Sequence, residues 1–245
     1  MKKLILLFYA TLLIGTLSAQ NSQIPLIGSI APSFTAPSTN GTLTFPNDFG
    51  KSWKILFSHP KDFTPVCSSE LLELAYLQKN FEMLGVKFAV ISTDKLYLHE
   101  MWKAQLEELN YKDRGSQKIN FPIFEDPSMV ISKSYGMLHA PTSTDRDIRG
   151  VYIIDPNNIV RSIVFYPVEV GRNMNEIERT VEALQTADNT KLLTPADWRV
   201  GDDLLVPHYP YTAEELKTNP ELKNDYYNVG NRMWFKKMNR LAEQE

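Results

Sequence analysis

The stretch "ILFSHPKDFTPVCSSELLEL", from Ile55 to Leu74, passes from an apolar run into a helix-like segment and carries the only cysteine of the 245-residue chain. Residues 53–59 form a near-continuous apolar run of strand length, and residues 66–84 have the length and spacing of a helix. A second apolar run, residues 86–93, follows directly. Strand, helix and strand within about 40 residues indicate a βαβ unit.

The segments around this unit extend the same α/β pattern. Residues 28–47 predict an N-terminal hairpin with "STNGT" as its turn, because short apolar runs flank Gly and Pro. Helical stretches are predicted at 96–109 and 129–135, with a short apolar segment "FPIFED" between them. The runs "RGVYIID" and "IVRSIVFY" predict two strands joined by the turn "DPNN", and "NEIERTVEALQTAD" predicts an amphipathic helix. We therefore expect an α/β, thioredoxin-like fold: a central sheet flanked by helices.

The composition changes after this helix. Residues 190–245 contain many prolines and aromatics and little periodicity. Because exposed aromatic side chains are costly in water, we expect a small C-terminal extension that packs on a neighbour or on a partner subunit. The predicted domains are thus 1–19, 20–189 and 190–245.

The first 19 residues read as a secretory signal peptide. Two lysines precede an apolar run at residues 4–17, and small residues follow at Ser18 and Ala19. The run is shorter than the roughly 18–20 apolar residues that span a bilayer, which disfavours the alternative of a membrane anchor. We expect export to the periplasm or the extracellular space. Loss of the two lysines would make the formal net charge of −3 more negative, which disfavours a nucleic-acid partner.

Cys67 has no second cysteine with which to form an intramolecular disulfide, so it is either a buried passenger or a reagent. A lone cysteine is more often a small buried hydrophobe. Here it follows Pro65 in the first turn of the predicted helix, where free N–H groups and the helix dipole favour a thiolate. Thr64 can donate its hydroxyl proton to the sulfur or to an incoming oxygen, and Pro60 stiffens the loop and shields it from water. The Pro-x-x-x-Thr-x-x-Cys spacing therefore favours a nucleophile.

The motif "PKDFTPVC" resembles the active-site loop of the peroxiredoxins, and "FSHPKDFTPVCSSEL" is similar to that of their one-cysteine, Prx6-type subgroup. The resemblance extends over most of the chain, through "GSIAPSFTAP", "FYPVEVGRNMNEIERTVEALQ" and "LLTPADWRVGDDLLVP". It implies a thioredoxin-fold peroxidase whose cysteine thiolate attacks the O–O bond of hydrogen peroxide or an organic hydroperoxide and becomes a sulfenic acid. An external thiol or other reductant must then resolve it, since no resolving cysteine is present.

The resemblance also assigns roles to individual residues. Cys67 is the peroxidatic nucleophile, Thr64 binds the peroxide by a hydrogen bond, and Pro60 covers the site. Arg149 is the active-site arginine, whose guanidinium would stabilise charge that develops on the peroxide oxygens. Three residues have supporting roles: His59 near the sulfur, Arg172 as a second arginine, and Glu70 as the group that orients an arginine.

Three other functions remain as alternatives. A phospholipase-type hydrolase could use Ser52, but the Gly-x-Ser-x-Gly pattern is broken at Lys54 and the upstream "LTFPND" region lacks the partner histidine. A disulfide oxidoreductase needs Cys-x-x-Cys, and the sequence has Cys67-Ser68-Ser69-Glu70. A non-enzymatic holdase or scaffold of the same fold would not need Cys67.

The remaining histidines, His99, His139 and His208, have no acidic or cysteine neighbours at ligand spacing in the sequence. The sequence therefore indicates no metal site, and no cofactor is expected. Relatives in the resembled family commonly form homodimers or larger rings, so we expect a homodimer or a higher homo-oligomer in which the extension takes part.

Overall fold

The computed structural model describes residues 24–230 and 232–238. Two sheets are present in this part of the chain, one of seven strands in the order β2-β1-β5-β4-β3-β6-β7 and one of three in the order β8-β10-β9. In chain order the elements are β1 (Phe34–Ser38), β2 (Gly41–Phe45), β3 (Trp53–Ser58), α1 (Pro65–Met83), β4 (Val86–Ser92), α2 (Leu96–Leu106), β5 (Ile123–Glu125), α3 (Val130–Ser134), β6 (Arg149–Ile154), β7 (Val160–Tyr166), α4 (Met174–Thr190), β8 (Leu204–Leu205), α5 (Ala213–Thr218), β9 (Tyr226–Val229) and β10 (Met233–Lys236).

The predicted signal peptide, residues 1–19, lies outside the described residues. Among residues 24–230 and 232–238, no helix is both long enough and apolar enough to cross a membrane.

The predicted βαβ unit is formed by β3, α1 and β4. β3 and β4 pair in parallel, from Trp53 with Val86 to Ser58 with Ile91. All six positions of β3 are buried, because the strand lies in the interior of the sheet with both faces covered. The loop to α1 therefore begins at the carboxyl end of β3, and Cys67 lies in the first turn of the helix that follows this loop.

The sheet separates two hydrophobic layers. On one face, Ile55 and Phe57 of β3 pack with α1, α2 and α4, whereas Leu56 faces the second layer with the N-terminal hairpin and α3. Successive strand residues point to opposite faces, which explains this division. The α/β sandwich of sheet and flanking helices expected from the sequence is confirmed.

Antiparallel pairings complete the large sheet. The predicted hairpin is β1 with β2, and the strands around "DPNN" are β6 with β7. β6 also pairs with β3 in antiparallel register, with Phe57 opposite Val151. This register brings Arg149, the first residue of β6, beside the carboxyl end of β3.

The C-terminal extension forms the second sheet. Trp198 and Leu204 are buried against Ala183 of α4, so part of the extension packs on the main body of the same chain. Several of its rings pack on one another, including Tyr209 stacked on Trp234 with centroids 4.0 Å apart. The expected boundary at residues 189 and 190 stays a prediction.

Candidate active site

Cys67 lies in the first turn of α1, after Thr64 at the N-cap and Pro65 at the first helical position. Proline is favoured at that position because it has no N–H to leave unpaired. The cysteine is fully buried, and no part of its side chain is open to bulk solvent. The sulfur therefore lies at the positive end of the helix dipole, in a setting where a negative charge is stabilised.

Arg149 contacts the sulfur from the neighbouring strand. Its Nη1 lies 3.3 Å from Cys67 Sγ and 2.7 Å from Glu70 Oε2. Its Nε and Nη2 both donate to the carbonyl of Val168, at 3.0 and 2.6 Å. The planar guanidinium is thus fixed on both sides, with one nitrogen directed at the sulfur.

Glu70 connects Arg149 to a second arginine. Glu70 Oε1 accepts from the Arg172 backbone N–H and Nε at 2.8 and 2.9 Å, and Oε2 accepts from Arg172 Nη2 at 2.7 Å. Arg172 Nη1 donates to the carbonyls of Ser58 and Gly150 at 2.7 and 2.9 Å. Two cations and one carboxylate therefore form a buried network with a net positive charge beside the sulfur.

The network shifts the ionisation of its members. Burial raises the pKa of Glu70, but the hydrogen bonds and charge of Arg172, with the charge of Arg149, outweigh it and hold the pKa below the usual range. Burial lowers the pKa of Arg172 to about 10, in spite of the opposing effect of Glu70. At neutral pH all three groups are charged, so the site offers a fixed positive field to an anion at Cys67.

The loop before α1 forms one wall of an open pocket. Pro60 is buried and lines this pocket together with Thr64 and Arg149. Thr64 Oγ1 donates to the carbonyl of Lys61 at 2.8 Å, so its proton is engaged here rather than directed at the sulfur. The lone pairs of Thr64 Oγ1 remain available to accept a hydrogen bond from a molecule in the pocket.

His59 belongs to a second buried cluster. Its Nε2 lies 2.8 Å from Asp62 Oδ1, while Asp62 Oδ2 lies 2.7 Å from His99 Nδ1. In the sequence His99 has no acidic neighbour at ligand spacing, but α2 brings it beside Asp62 in the loop that follows β3. Ligand atoms of these three residues lie within 4.8 Å of one another.

The hydrogen-bond partners determine where the protons of this cluster lie. His99 Nε2 must donate to the Phe124 carbonyl, 3.1 Å away, because a carbonyl oxygen only accepts. Its Nδ1 faces Asp62. Burial by itself would raise the pKa of Asp62, but the hydrogen bonds with His59 and His99 outweigh burial and lower that pKa to about 2. Burial lowers the pKa of His59, which therefore donates from Nε2 and leaves Nδ1 without a partner among the described residues.

The fold thus brings together Cys67, Glu70, Arg149 and Arg172, with Thr64 and Pro60 on the pocket wall, while His59 bonds to Asp62 and His99. Sequence reasoning missed Asp62 and His99. The pair Asp62 and His59, three residues apart in the quoted loop, was the available signal, but His99 is 37 residues further on.

Other candidates from the sequence lie apart from this network. Ser52 precedes β3 and has no hydrogen bond to a histidine or a carboxylate in the described part of the chain. His139 packs edge-on against Phe165, with ring centroids 5.4 Å apart. Neither arrangement resembles a nucleophile with a positioned base.

Comparison with known families gives two matches along the chain. Residues 27–163 match the AhpC/TSA family, and residues 183–218 match the C-terminal domain of 1-Cys peroxiredoxin. A peroxiredoxin of Methanosarcina mazei is 43% identical over 195 residues, which are 79% of this chain and 89% of that protein. A peroxiredoxin of Aquifex aeolicus is 41% identical over 176 residues, 72% of this chain and 77% of that protein.

Solved structures give the same result. A cysteine-to-serine mutant of the peroxiredoxin 6 of Arenicola marina has a TM-score of 0.76 at 32% identity, covering 88% of this chain and 99% of that one. A yeast mitochondrial 1-Cys peroxiredoxin, described as resolved by glutathione and thioredoxin systems, has a TM-score of 0.75 at 32% identity, covering 87% and 100%. The resemblance inferred from the cysteine loop is confirmed.

Proposed function

The chain belongs to the AhpC/TSA family and, within it, to the 1-Cys, Prx6-type peroxiredoxins; it is a thiol peroxidase, and we propose that Cys67 is its peroxidatic nucleophile. The observation that carries this assignment is the position of Arg149, whose Nη1 lies 3.3 Å from Cys67 Sγ. That contact supports the assignment, because a guanidinium beside the sulfur would stabilise a thiolate and the charge that develops as the O–O bond breaks.

In the first half-reaction the Cys67 thiolate attacks the nearer oxygen of the peroxide. The S–O bond forms as the O–O bond breaks, and the leaving oxygen takes a proton and departs as water or an alcohol. Arg149 stabilises the charge on that oxygen, and Thr64 accepts a hydrogen bond from the peroxide hydroxyl and orients it. Pro60 limits access of water from the side of the loop.

Glu70 and Arg172 act on this reaction through Arg149. The Glu70 carboxylate holds Nη1 of Arg149 in the direction of the sulfur, and Arg172 holds Glu70 in turn. Burial makes these bonds strong and makes loss of any member costly. We therefore propose that both are positioning residues, and that Asp62 and His99 fix the orientation of His59 in the same way.

In the second half-reaction an external thiol reduces the sulfenic acid. The sequence contains no other cysteine, so the thiol must come from another molecule. The thiol attacks the sulfenic sulfur and releases water, leaving a mixed disulfide with Cys67. A second thiol then displaces Cys67 and restores the reduced enzyme.

Stopped-flow oxidation of reduced protein tests this assignment. One equivalent of hydrogen peroxide should oxidise Cys67 far faster than it oxidises free cysteine, with one oxygen atom added to the protein mass. Cys67→Ser should abolish the reaction, and Arg149→Ala should slow it by about 100-fold or more. A wild-type rate equal to that of free cysteine would overturn the assignment and favour the holdase alternative.

We also propose that the protein is exported and protects the periplasm or the extracellular space against peroxide, as part of redox homeostasis. The order of residues at positions 2–19 supports export, because two lysines come first, an apolar run follows, and small residues come last. N-terminal sequencing of the protein recovered from cell fractions should give Gln20 as the first residue. Recovery of the chain in the cytoplasm with Met1 intact would contradict it.

We further propose a homodimer or a higher homo-oligomer in which the C-terminal extension takes part. Val229 and Met233 of its sheet are 49% and 47% exposed, and exposed apolar side chains on a small sheet favour burial against a second copy. Sedimentation should give a mass above that of the monomer, and Val229→Lys with Met233→Lys should lower it. A monomeric wild-type protein would refute the proposal.

A further inference from the structure

The pocket that opens onto Arg149 is larger than hydrogen peroxide requires. Its volume is about 330 Å³, whereas one water molecule occupies about 30 Å³ in the liquid. Pockets of about 300 Å³ and more hold organic ligands. Its walls include the prolines Pro60 and Pro65 and the valines Val66 and Val168, which can contact a carbon chain.

Two cationic side chains also line the pocket and form no salt bridge in the described part of the chain. Lys61 and Arg146 are exposed, and neither forms an ion pair within 4 Å in the described part of the chain. Asp145 is the carboxylate among the lining residues, and Asp94 lines an adjoining pocket with the same two cations. Both carboxylates accept hydrogen bonds from neutral groups, Asp145 from Ser143 Oγ and Asp94 from the Asp62 backbone N–H, each at 2.8 Å. Arg149, the third cation of the pocket, is paired with Glu70.

We propose that Lys61 and Arg146 bind the carboxylate of a small organic molecule whose reactive group then meets Cys67. This inference rests on the proposed role of Cys67 and adds a ligand class to it. These features fit a short molecule with an anionic end and a reactive end. The two cations at the mouth would bind the anionic end, the apolar wall would contact the carbon chain, and the reactive end would reach the sulfur beyond Arg149.

Two kinds of molecule share this chemistry. A carboxylated hydroperoxide would give its outer oxygen to the Cys67 thiolate and leave as the alcohol after taking up a proton. A carboxylated thiol would attack the sulfenic sulfur of Cys67, release water and form a mixed disulfide, which a second thiol would reduce. In both cases the cations raise the local concentration of the anion without entering the redox step.

The experiment compares matched pairs of probes. The peroxide arm measures oxidation of reduced protein by cumene hydroperoxide and by its ring-carboxylated derivative. The thiol arm measures reduction of the sulfenic acid by 3-mercaptopropanol and by 3-mercaptopropionate, with rates corrected for the thiolate fraction. Each arm uses the wild type, Lys61→Gln/Arg146→Gln, and the control Lys79→Gln/Lys87→Gln. The control removes the same charge at two exposed positions outside the pocket. Lys79 lies on α1, and Lys87 lies near the amino end of β4.

We expect the wild type to prefer the carboxylated probe in one arm by roughly fourfold or more, the effect of one unit charge at about 5 Å in water. The preference should disappear in Lys61→Gln/Arg146→Gln, persist in the control and weaken in high salt. The arm that shows it identifies the ligand as oxidising substrate or as reductant.

The inference is overturned if neither arm shows a preference, or if the preference survives loss of both cations or falls equally in the control. The salt dependence of the wild type tests it even if the double variant does not fold. Failure of hydrogen peroxide to oxidise wild-type Cys67 rapidly would instead refute the proposed function, so the two failures are distinguishable.

Discussion

Replacement of Glu70 by Gln is expected to destabilise the protein severely, although the two side chains have nearly the same shape. The carboxylate accepts four hydrogen bonds, three from Arg172 and one from Arg149, all between 2.7 and 2.9 Å. An amide presents an NH₂ group to two of these donors and leaves two buried guanidinium groups without a counterion. Removal of one partner from a buried ion pair costs about 3–5 kcal/mol. For a chain of this size that cost lowers Tm by about 6–20 °C.

Glu73→Gln is the matched control for this variant. Glu73 lies one turn further along α1 and pairs with Lys112 and Arg114, whose side chains are 49% and 31% exposed. Exposed pairs contribute about 1 kcal/mol or less. Denaturant unfolding should therefore separate the two variants by at least about 2 kcal/mol. Equal costs for Glu70→Gln and Glu73→Gln would refute the electrostatic account of the site.

The pH dependence of the Glu70 effect has a defined sign. Its pKa is lower in the folded state than the ordinary value of 4.5, so the carboxylate stabilises the folded state above about that pH. The stability is lost as the pH falls through the folded pKa. The difference between wild type and Glu70→Gln should be fully present at pH 7 and should shrink below pH 4.5. The rate of reaction with hydrogen peroxide at pH 7 should also fall, because Arg149 loses the group that directs it.

Three further predictions concern other residues. Arg149→Lys keeps the charge but not the planar fork, and should slow peroxide oxidation of Cys67 by about 100- to 1,000-fold in stopped flow; a change below threefold would contradict this. Asp62→Asn removes the buried carboxylate that His59 and His99 contact and should lower the free energy of unfolding by about 1–3 kcal/mol in urea, whereas exposed Asp113→Asn should change it little. Burial, with the charges of Asp126 and Asp94, raises the pKa of Asp147 to about 8, so ionisation of the unfolded chain destabilises the fold as the pH rises from about 4 to about 8. Asp147→Asn should raise Tm at pH 8 and have little effect at pH 3.5, and an equal effect at both pH values would exclude this cause.

The sequence predicted the local elements well because their signals are local. The apolar run before His59, the helix that contains Cys67 and the amphipathic helix α4 follow from periodicity over a few residues. The proposed nucleophile could also be predicted, since Pro60, Thr64 and Cys67 lie close together in the sequence. The sequence predicts that α2 continues to Leu109, whereas the helix ends at Leu106. Apolar periodicity does not mark the last turn of a helix, so the predicted end differs by three residues.

Contacts across long separations required the tertiary structure. Glu70 meets Arg149 and Arg172, which are 79 and 102 residues away in the chain, because β6 and the loop before α4 return to the carboxyl end of β3. His99 showed no acidic neighbour in the sequence, yet α2 places it 2.7 Å from Asp62. Sheet register and helix packing set such distances, and neither is encoded in the spacing of a motif. The sequence alone therefore determined the kind of fold and which thiol is proposed to react, whereas only the tertiary structure decided which charges surround that thiol, because electrostatic energy depends on distance in space.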